Sequence, residues 1–95
     1  MNGTSEVITV YAPRRIDLCT APFLAKDLDE KLQAGVSLVL DLSQTRFIDP
    51  PSTDVLIQGI LKARQRRARL SLQKVAPQVK VVLELAGVLQ FFRRK

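Results

Sequence analysis

The stretch from Ser37 to Ala63 constrains the fold of this chain more than any other part of the sequence. It opens with the apolar run Leu38–Leu40, which shows no polar alternation and ends at Asp41. Such a run is typical of a strand that is buried on both faces. After a polar link, apolar residues recur at helical spacing, and these are Val55, Leu56, Gly59, Ile60 and Ala63. The stretch therefore predicts a strand, a loop and a helix in succession.

Two adjacent prolines, Pro50 and Pro51, precede the predicted helix. Proline has no backbone N–H group, so it fits best where a helix begins and its first amides would lack an intrahelical partner. The loop is therefore expected to bring Ser52, Thr53 and Asp54 to the helix N-terminus. A serine or threonine hydroxyl commonly caps a helix at that point, and an acid in the first turn is stabilised by the helix dipole.

The remainder of the sequence predicts further strands and helices in alternation. Alternating β-branched residues predict a first strand over residues 7–12, and a second short extended segment is expected around residues 15–18. One helix is predicted from its N-cap, Thr20, to Gly35, and another from Pro77 to Gly87, with a strand over residues 70–73 before it. The last apolar residues are expected to pack onto the sheet, with a short final strand as one option, and these are Val88, Leu89, Phe91 and Phe92.

Alternating strands and helices in a chain of 95 residues predict one α/β domain over residues 1–95, with the helices on one face of its sheet. The single cysteine, Cys19, excludes an internal disulfide framework and is interpreted as a packed thiol. No apolar run approaches the roughly 20 residues that a membrane-spanning helix needs. Residues 1–6 are polar and lack the pattern of a secretory signal. We therefore expect a cytoplasmic protein with no transmembrane segment.

Three segments in this order resemble the STAS domain, the module shared by anti-sigma factor antagonists and the cytoplasmic tails of sulphate transporters. Residues 16–22 are similar to the family's L-D-x-x-T-A-P segment, and residues 39–43 with Phe47-Ile48-Asp49 are similar to its central strand and the loop after it. Residues 83–88 look like its last helix and closing turn. The resemblance covers almost the whole chain. It implies a STAS-like domain with a mixed, mainly parallel sheet of four to five strands and about three helices on one face.

The STAS family usually continues its central segment as D-S-S-G-L-G-V-L, and a partner kinase of the anti-sigma class phosphorylates the first serine. In this chain proline occupies both serine positions, at Pro50 and Pro51. Because proline has no hydroxyl, the resemblance implies that the usual phosphorylation switch is absent. Ser52 and Thr53 are alternative phospho-acceptors, since free amides and the dipole favour a phosphate at a helix start. The simpler interpretation is that one of them caps the helix.

Catalytic and metal-binding sites find little support in the sequence. The chain has no histidine, which removes the commonest general base and metal ligand. Asp17, Asp41 and Asp49 could meet at the loop ends of a parallel sheet and attract a divalent ion. Capping and turn roles are commoner for isolated aspartates, so we predict no metal. Because the sequence offers no pairing of a nucleophile with a base, we also predict no enzymatic activity, and no cofactor is expected.

The resemblance implies a non-catalytic regulatory module that binds a protein partner and acts like an anti-sigma factor antagonist. The expected partner is an anti-sigma factor and serine kinase of the histidine-kinase-like ATPase class, and a homodimer is a further option. Ile57 and Leu61 could anchor the partner through an apolar patch, although a core that wraps further around the helix would bury them. The predicted docking surface combines the loop with the exposed side of the following helix, and it comprises Asp49, Pro50, Pro51, Ser52, Thr53, Asp54, Ile57, Gln58 and Leu61.

Other functions stay open at the level of sequence. Small STAS proteins also serve as accessory subunits of lipid-transport ATP-binding cassette (ABC) complexes, where they bind an ATPase subunit. The net charge of +6 and the basic cluster from Lys62 to Arg69 make nucleic acid, or another anionic molecule, a candidate partner. Cations are favoured near a helix C-terminus, which explains the cluster more simply, so nucleic acid is not the expected partner. A ligand- or nucleotide-sensing module is the remaining alternative.

Overall fold

Three parallel strands form the main sheet of the computed structural model, which describes residues 6–93. They are β1 (Glu6–Tyr11), β3 (Val36–Asp41) and β5 (Arg69–Gln73), and the central strand β3 pairs with the other two. A smaller parallel sheet joins β2 (Arg15–Ile16) to β4 (Phe47–Ile48). The polar start of the sequence, residues 1–5, and its basic end, residues 94–95, lie outside the described residues.

Four α-helices connect and follow the strands. They are α1 (Ala21–Lys31), α2 (Asp54–Gln65), α3 (Pro77–Leu85) and α4 (Val88–Arg93), and a short 3-10 helix (Pro50–Thr53) leads directly into α2. This order confirms the predicted α/β class and the strand, loop and helix at the centre of the chain. Among the helices of residues 6–93, none combines the length and the apolar character that crossing a membrane requires.

The helices cover one face of the main sheet. In β3 the side chains of Leu38 and Leu40 are buried, whereas Val39 at the alternate position is only half-buried. The apolar stripe predicted on α2 is also observed, because Leu56, Gly59, Ile60 and Ala63 are buried. Gly59 permits close packing of α2, since a Cβ atom there would lie 2.9 Å from Leu70 Cδ2. The core therefore lies between α2 and the sheet, as the periodicity indicates.

Three features differ from the sequence-based expectation. Cys19 is exposed, so the interpretation of its side chain as a packed thiol is wrong. The five described strands are divided between two sheets instead of joined in one, and every ladder among them is parallel. Pro13 contributes to this division, because it cannot donate to a ladder and lies directly between β1 and β2. The final apolar segment forms α4 instead of a short strand. Gly87 adopts a φ of 76°, a conformation that suits glycine, and the chain turns there from α3 into α4.

Candidate protein-interaction site

The loop before α1 is held by Asp17. Its Oδ1 atom accepts hydrogen bonds from the backbone amides of Cys19 and Thr20, at 2.9 and 3.1 Å. Thr20 occupies the predicted N-cap position, but its hydroxyl donates to the Arg15 carbonyl oxygen at 2.7 Å and makes no cap bond to α1. The bond from the Thr20 amide, more than any other contact, lowers the pKa of Asp17. A charged carboxylate therefore fixes this loop at neutral pH.

The loop before α2 is held by Asp49. Its Oδ1 atom accepts a hydrogen bond from the Ser52 amide at 3.0 Å, so Asp49 caps the 3-10 helix, and both prolines lie in the first turn as predicted. The cap that the sequence assigns to Ser52 or Thr53 is not observed. The Thr53 hydroxyl instead donates to the Pro50 carbonyl oxygen at 2.7 Å, and Ser52 Oγ is buried without a hydrogen-bond partner among the described residues.

Asp41 ends the central strand, and its carboxylate holds the loop that follows. Its Oδ1 atom accepts from the Ser43 amide at 2.7 Å, and its Oδ2 atom accepts from Gln73 Nε2 at 3.0 Å. Interaction with the Ser43 side chain and amide lowers the pKa of Asp41 although the residue is buried. Asp17, Asp41 and Asp49 are thus turn-forming groups. Within residues 6–93, no group of three or more acids or cysteines is placed to hold a metal ion.

A groove of about 400 Å³ lies between α1 and α2, beside the segment Pro50–Thr53, which we call the proline loop. We call it the docking groove. Most of the residues along it are apolar, and the charged ones, Asp54 and Lys62, belong to α2 and neighbour Gln58 on the same helical face. Its lining comprises Leu18, Ala21, Pro22 and Ala25 on the α1 side and Pro51, Ser52, Asp54, Val55, Gln58 and Lys62 on the other. The loop that Asp49 caps therefore forms part of one wall.

Comparison with known proteins identifies the family. The family model of the STAS domain matches residues 1–95. The chain belongs to the STAS domain family. Its fold is similar to that of a solved structure described as the anti-sigma factor antagonist SpoIIAA in its unphosphorylated form, with a TM-score of 0.74 and 15% sequence identity over 96% of this chain and 81% of that chain. A search of curated proteins finds no match.

This STAS domain exposes apolar side chains that lie outside the predicted docking surface. Leu18, in the loop before α1, is 73% exposed and lines the docking groove. Phe23 on α1 is 76% exposed and lines a smaller pocket of about 240 Å³ together with Tyr11. Phe23 lies outside the apolar stripe of its helix, which is a sequence signal for exposure. Leu18 lies in a loop, where periodicity carries no signal.

The predicted docking residues on α2 differ in exposure. Asp54 and Gln58 are exposed and line the docking groove. Leu61 is 36% exposed, whereas Ile57 is half-buried and packs against the core. Leu61 is therefore open to solvent, whereas Ile57 is shared with the core.

Part of the basic cluster of this STAS domain is engaged in contacts within the domain. Lys62 Nζ and Arg66 Nη2 both donate to Asp29 Oδ1 on α1, at 3.1 and 2.7 Å. Arg64 Nη2 donates to the carbonyl oxygen of Phe91 on α4 at 2.5 Å. The hydrogen bonds from Arg66 and then Lys62 lower the pKa of Asp29, so its carboxylate is charged at neutral pH. Three cations of the cluster thus connect α2 to neighbouring helices.

Proposed function

We propose that this STAS domain is a non-catalytic regulatory module that docks a protein partner and acts like an anti-sigma factor antagonist. The proposed docking surface is the loop Asp49–Thr53 with Asp54, Ile57, Gln58 and Leu61 on α2, extended across the docking groove to Leu18. The observation that carries the proposal is the docking groove itself, which is mainly apolar and ends against the proline loop. The shared fold with a structure described as an anti-sigma factor antagonist supports it.

The loop is proposed to stay in one covalent state. Pro50 and Pro51 are exposed but carry no hydroxyl, and they occupy the positions where the family usually has serines. Ser52 and Thr53 are each only 4% exposed, and the Thr53 hydroxyl is bound to a carbonyl oxygen within the loop. A kinase therefore meets no accessible hydroxyl between residues 50 and 53 in this conformation. Docking would then depend on the concentration or the state of the partner.

The partner is proposed to be a protein, specifically an ATPase of the histidine-kinase-like class, and not a nucleic acid. Three cations of the basic cluster are engaged within the domain, which weakens the case for a phosphate-binding surface. The docking groove instead offers apolar side chains beside the exposed acid Asp54. This combination fits an apolar anchor residue with a cation next to it. Such docking should depend far less on salt than phosphate binding does.

The partner is identified by crosslinking in the native cell followed by purification and mass spectrometry. A histidine-kinase-like ATPase is the expected result, whereas an ABC ATPase would favour an accessory role in transport. The recovered protein is then purified, and its Kd is measured for the wild type, Leu18→Glu and Gln58→Arg. Each variant should weaken binding about tenfold or more, because it places a charge in the groove. Glu30→Lys, an exposed change in the last turn of α1, is the matched control and should keep the affinity.

A second assay tests the proposal that the loop stays in one covalent state. The chain is incubated with the recovered kinase, and phosphate is mapped by mass spectrometry over residues 47–62. No phosphate is expected on the wild type, whereas Pro50→Ser, which supplies a hydroxyl at an exposed position, should accept one and thereby show that the kinase is active. Phosphate anywhere in residues 50–54 of the wild type would contradict the proposal that the loop stays in one covalent state.

In the binding experiment, unchanged affinity of Leu18→Glu would place the docking surface elsewhere.

A further inference from the structure

A second groove, of about 720 Å³, lies on the side of α2 that faces away from the docking groove. It runs between the end of α2, the strand β5 and the helix α4, and we call it the edge groove. Within residues 6–93, β5 is an edge strand, because it pairs only with β3. The volume falls in the range of about 300–1,000 Å³ that is usual for small-molecule sites. No residue of the edge groove belongs to the proposed docking surface.

The floor of the edge groove is apolar. Leu38, Ile60 and Leu70 are core residues whose surfaces line it. The wall on the α4 side is formed by Phe91 and Phe92, which are half-buried and pack against the same core. Leu38, Ile60 and Leu70 are only 1, 8 and 5% exposed, so Phe91 and Phe92 provide the larger share of the accessible surface among these side chains. An apolar chain placed here would therefore lie mainly against the two aromatic side chains.

Among residues 6–93, the charged residues that line the edge groove are two arginines, Arg64 and Arg69, and no acidic residue of this range lines it. Arg64 donates one N–H group to the Phe91 carbonyl oxygen, and this bond holds the guanidinium beside α4. The guanidinium has five N–H donors, so this bond uses only one of them. Arg69 is exposed and has no ion-pair partner within residues 6–93. It lies next to Ser37 in the register of β3 and β5, and Ser37 lines the groove as well.

From this juxtaposition we infer that the edge groove binds a small amphipathic carboxylate with a single hydrocarbon chain. The tail lies against Phe91 and Phe92, above the buried floor of the groove, and the carboxylate is bound by Arg69 and Arg64. Arginine suits this role, because its planar fork matches both oxygens of a carboxylate. The edge groove shares no lining residue with the docking groove, so this inference does not depend on the proposed function.

The experiment titrates the isotopically labelled full chain with dodecanoate, kept monomeric, and follows backbone amide shifts by NMR. Saturable shifts are expected in β5, α4 and the last turn of α2. Decanoate and octanoate should bind successively more weakly, by up to roughly fourfold per methylene removed. Dodecyltrimethylammonium, with the same chain and the opposite charge, should bind far more weakly, because the arginines repel it.

Arg69→Glu and Arg64→Glu should each raise the Kd for dodecanoate about tenfold or more. Arg46→Glu makes the same change in net charge at an exposed residue outside the edge groove, and it should leave the Kd unchanged. Because the mapping is done on the wild type, a variant that fails to fold leaves the test intact.

Absence of saturable shifts, equal binding of the cationic amphiphile, or an equal loss in Arg46→Glu would each overturn the proposal. Shifts confined to the docking groove would do the same. An extended peptide of alternating glutamate and valine is tested in parallel. If the peptide shifts the β5 amides and dodecanoate does not, the groove accepts an added strand, and the carboxylate proposal is wrong.

Discussion

Arg66, at the end of α2, donates a hydrogen bond from Nη2 to Asp29 Oδ1 on α1 at 2.7 Å, and its Nη1 atom donates to the Asp29 carbonyl oxygen at 2.8 Å. Lys62 Nζ reaches the same carboxylate oxygen at 3.1 Å. α1 and α2 are the two helices that border the docking groove. One acid on α1 therefore fixes the distance between the two walls through two cations on α2.

Replacing Asp29 with alanine should lower the Tm, because it leaves both Lys62 and Arg66 without their shared carboxylate. Glu30→Ala, which removes the neighbouring exposed acid, is the control and should change the Tm less. Circular dichroism melts of both variants provide the measurement. Arg66→Ala should cost less stability in the Asp29→Ala background than in the wild type, because the two groups act as one unit. Fully additive losses would show that the pair contributes nothing of its own.

The stability of the domain should fall as the pH becomes acidic. The pKa values of Asp17, Asp29 and Asp41 are lowered in the folded state, below their ordinary value of 3.8. The unfolded chain therefore binds protons first as the pH falls, and the stabilisation that is complete well above 3.8 is lost as the pH passes through 3.8 toward the folded pKa values. Urea unfolding at a series of pH values from 7 to 3 measures this directly.

Asp41→Asn tests the origin of that pH dependence. Asparagine keeps an oxygen that can accept from the Ser43 amide, but it has no proton to gain. The free energy of unfolding of Asp41→Asn should therefore decline less steeply below pH 5 than that of the wild type. An identical slope in both proteins would mean that Asp41 does not contribute to acid unfolding.

The sequence predicts the parts of this fold that local periodicity determines. The buried stripe of Leu56, Gly59, Ile60 and Ala63 follows from helical spacing, and the helix start at Pro50 and Pro51 follows from the missing amide donors. The final segment is harder to predict, because a six-residue segment in which four residues are apolar fits a strand or a helix equally well. Its outcome as α4 depends on packing against the core and on the turn at Gly87.

The docking groove could be anticipated only in part. Asp54, Gln58 and the loop are predicted from the chain itself, but the opposite wall comes from Leu18 and the start of α1, some thirty residues earlier. The contact of Asp29 with Arg66 that sets the spacing of the helices spans 37 residues. No local pattern contains that information. Periodicity does not reveal the hydrogen bonds that shape the loops either. Thr20 and Ser52 have residue types that are typical of helix caps, but in the structure neither side chain caps a helix.

Gly59 should tolerate no branched side chain. A Cβ atom there would lie 2.9 Å from Leu70 Cδ2 and 3.3 Å from Leu28 Cδ1, so Gly59→Val adds atoms where two core side chains already meet. We expect the free energy of unfolding to fall by about 1–3 kcal/mol. Gln58→Val places the same side chain at the adjacent exposed position, and it should cost under about 1 kcal/mol. Valine has a higher helix propensity than glycine, so propensity alone predicts no loss for Gly59→Val, and an unchanged free energy of unfolding in urea would contradict the packing argument.

The cap that Asp49 provides should set the order of the proline loop. Asp49→Ala removes the acceptor of the Ser52 amide, and the expected loss is about 0.5–2 kcal/mol in the free energy of unfolding. Asp49→Asn retains an acceptor oxygen and should lose little by comparison. Amide hydrogen exchange distinguishes a local from a global effect, since only the alanine variant should exchange faster at residues 52–56 while the core amides of β3 stay protected. If alanine and asparagine behave alike, the side chain of Asp49 is not what holds the loop. If the alanine variant loosens the loop as expected and the affinity of the partner falls with it, the rigidity of the loop, and not only its surface, contributes to docking.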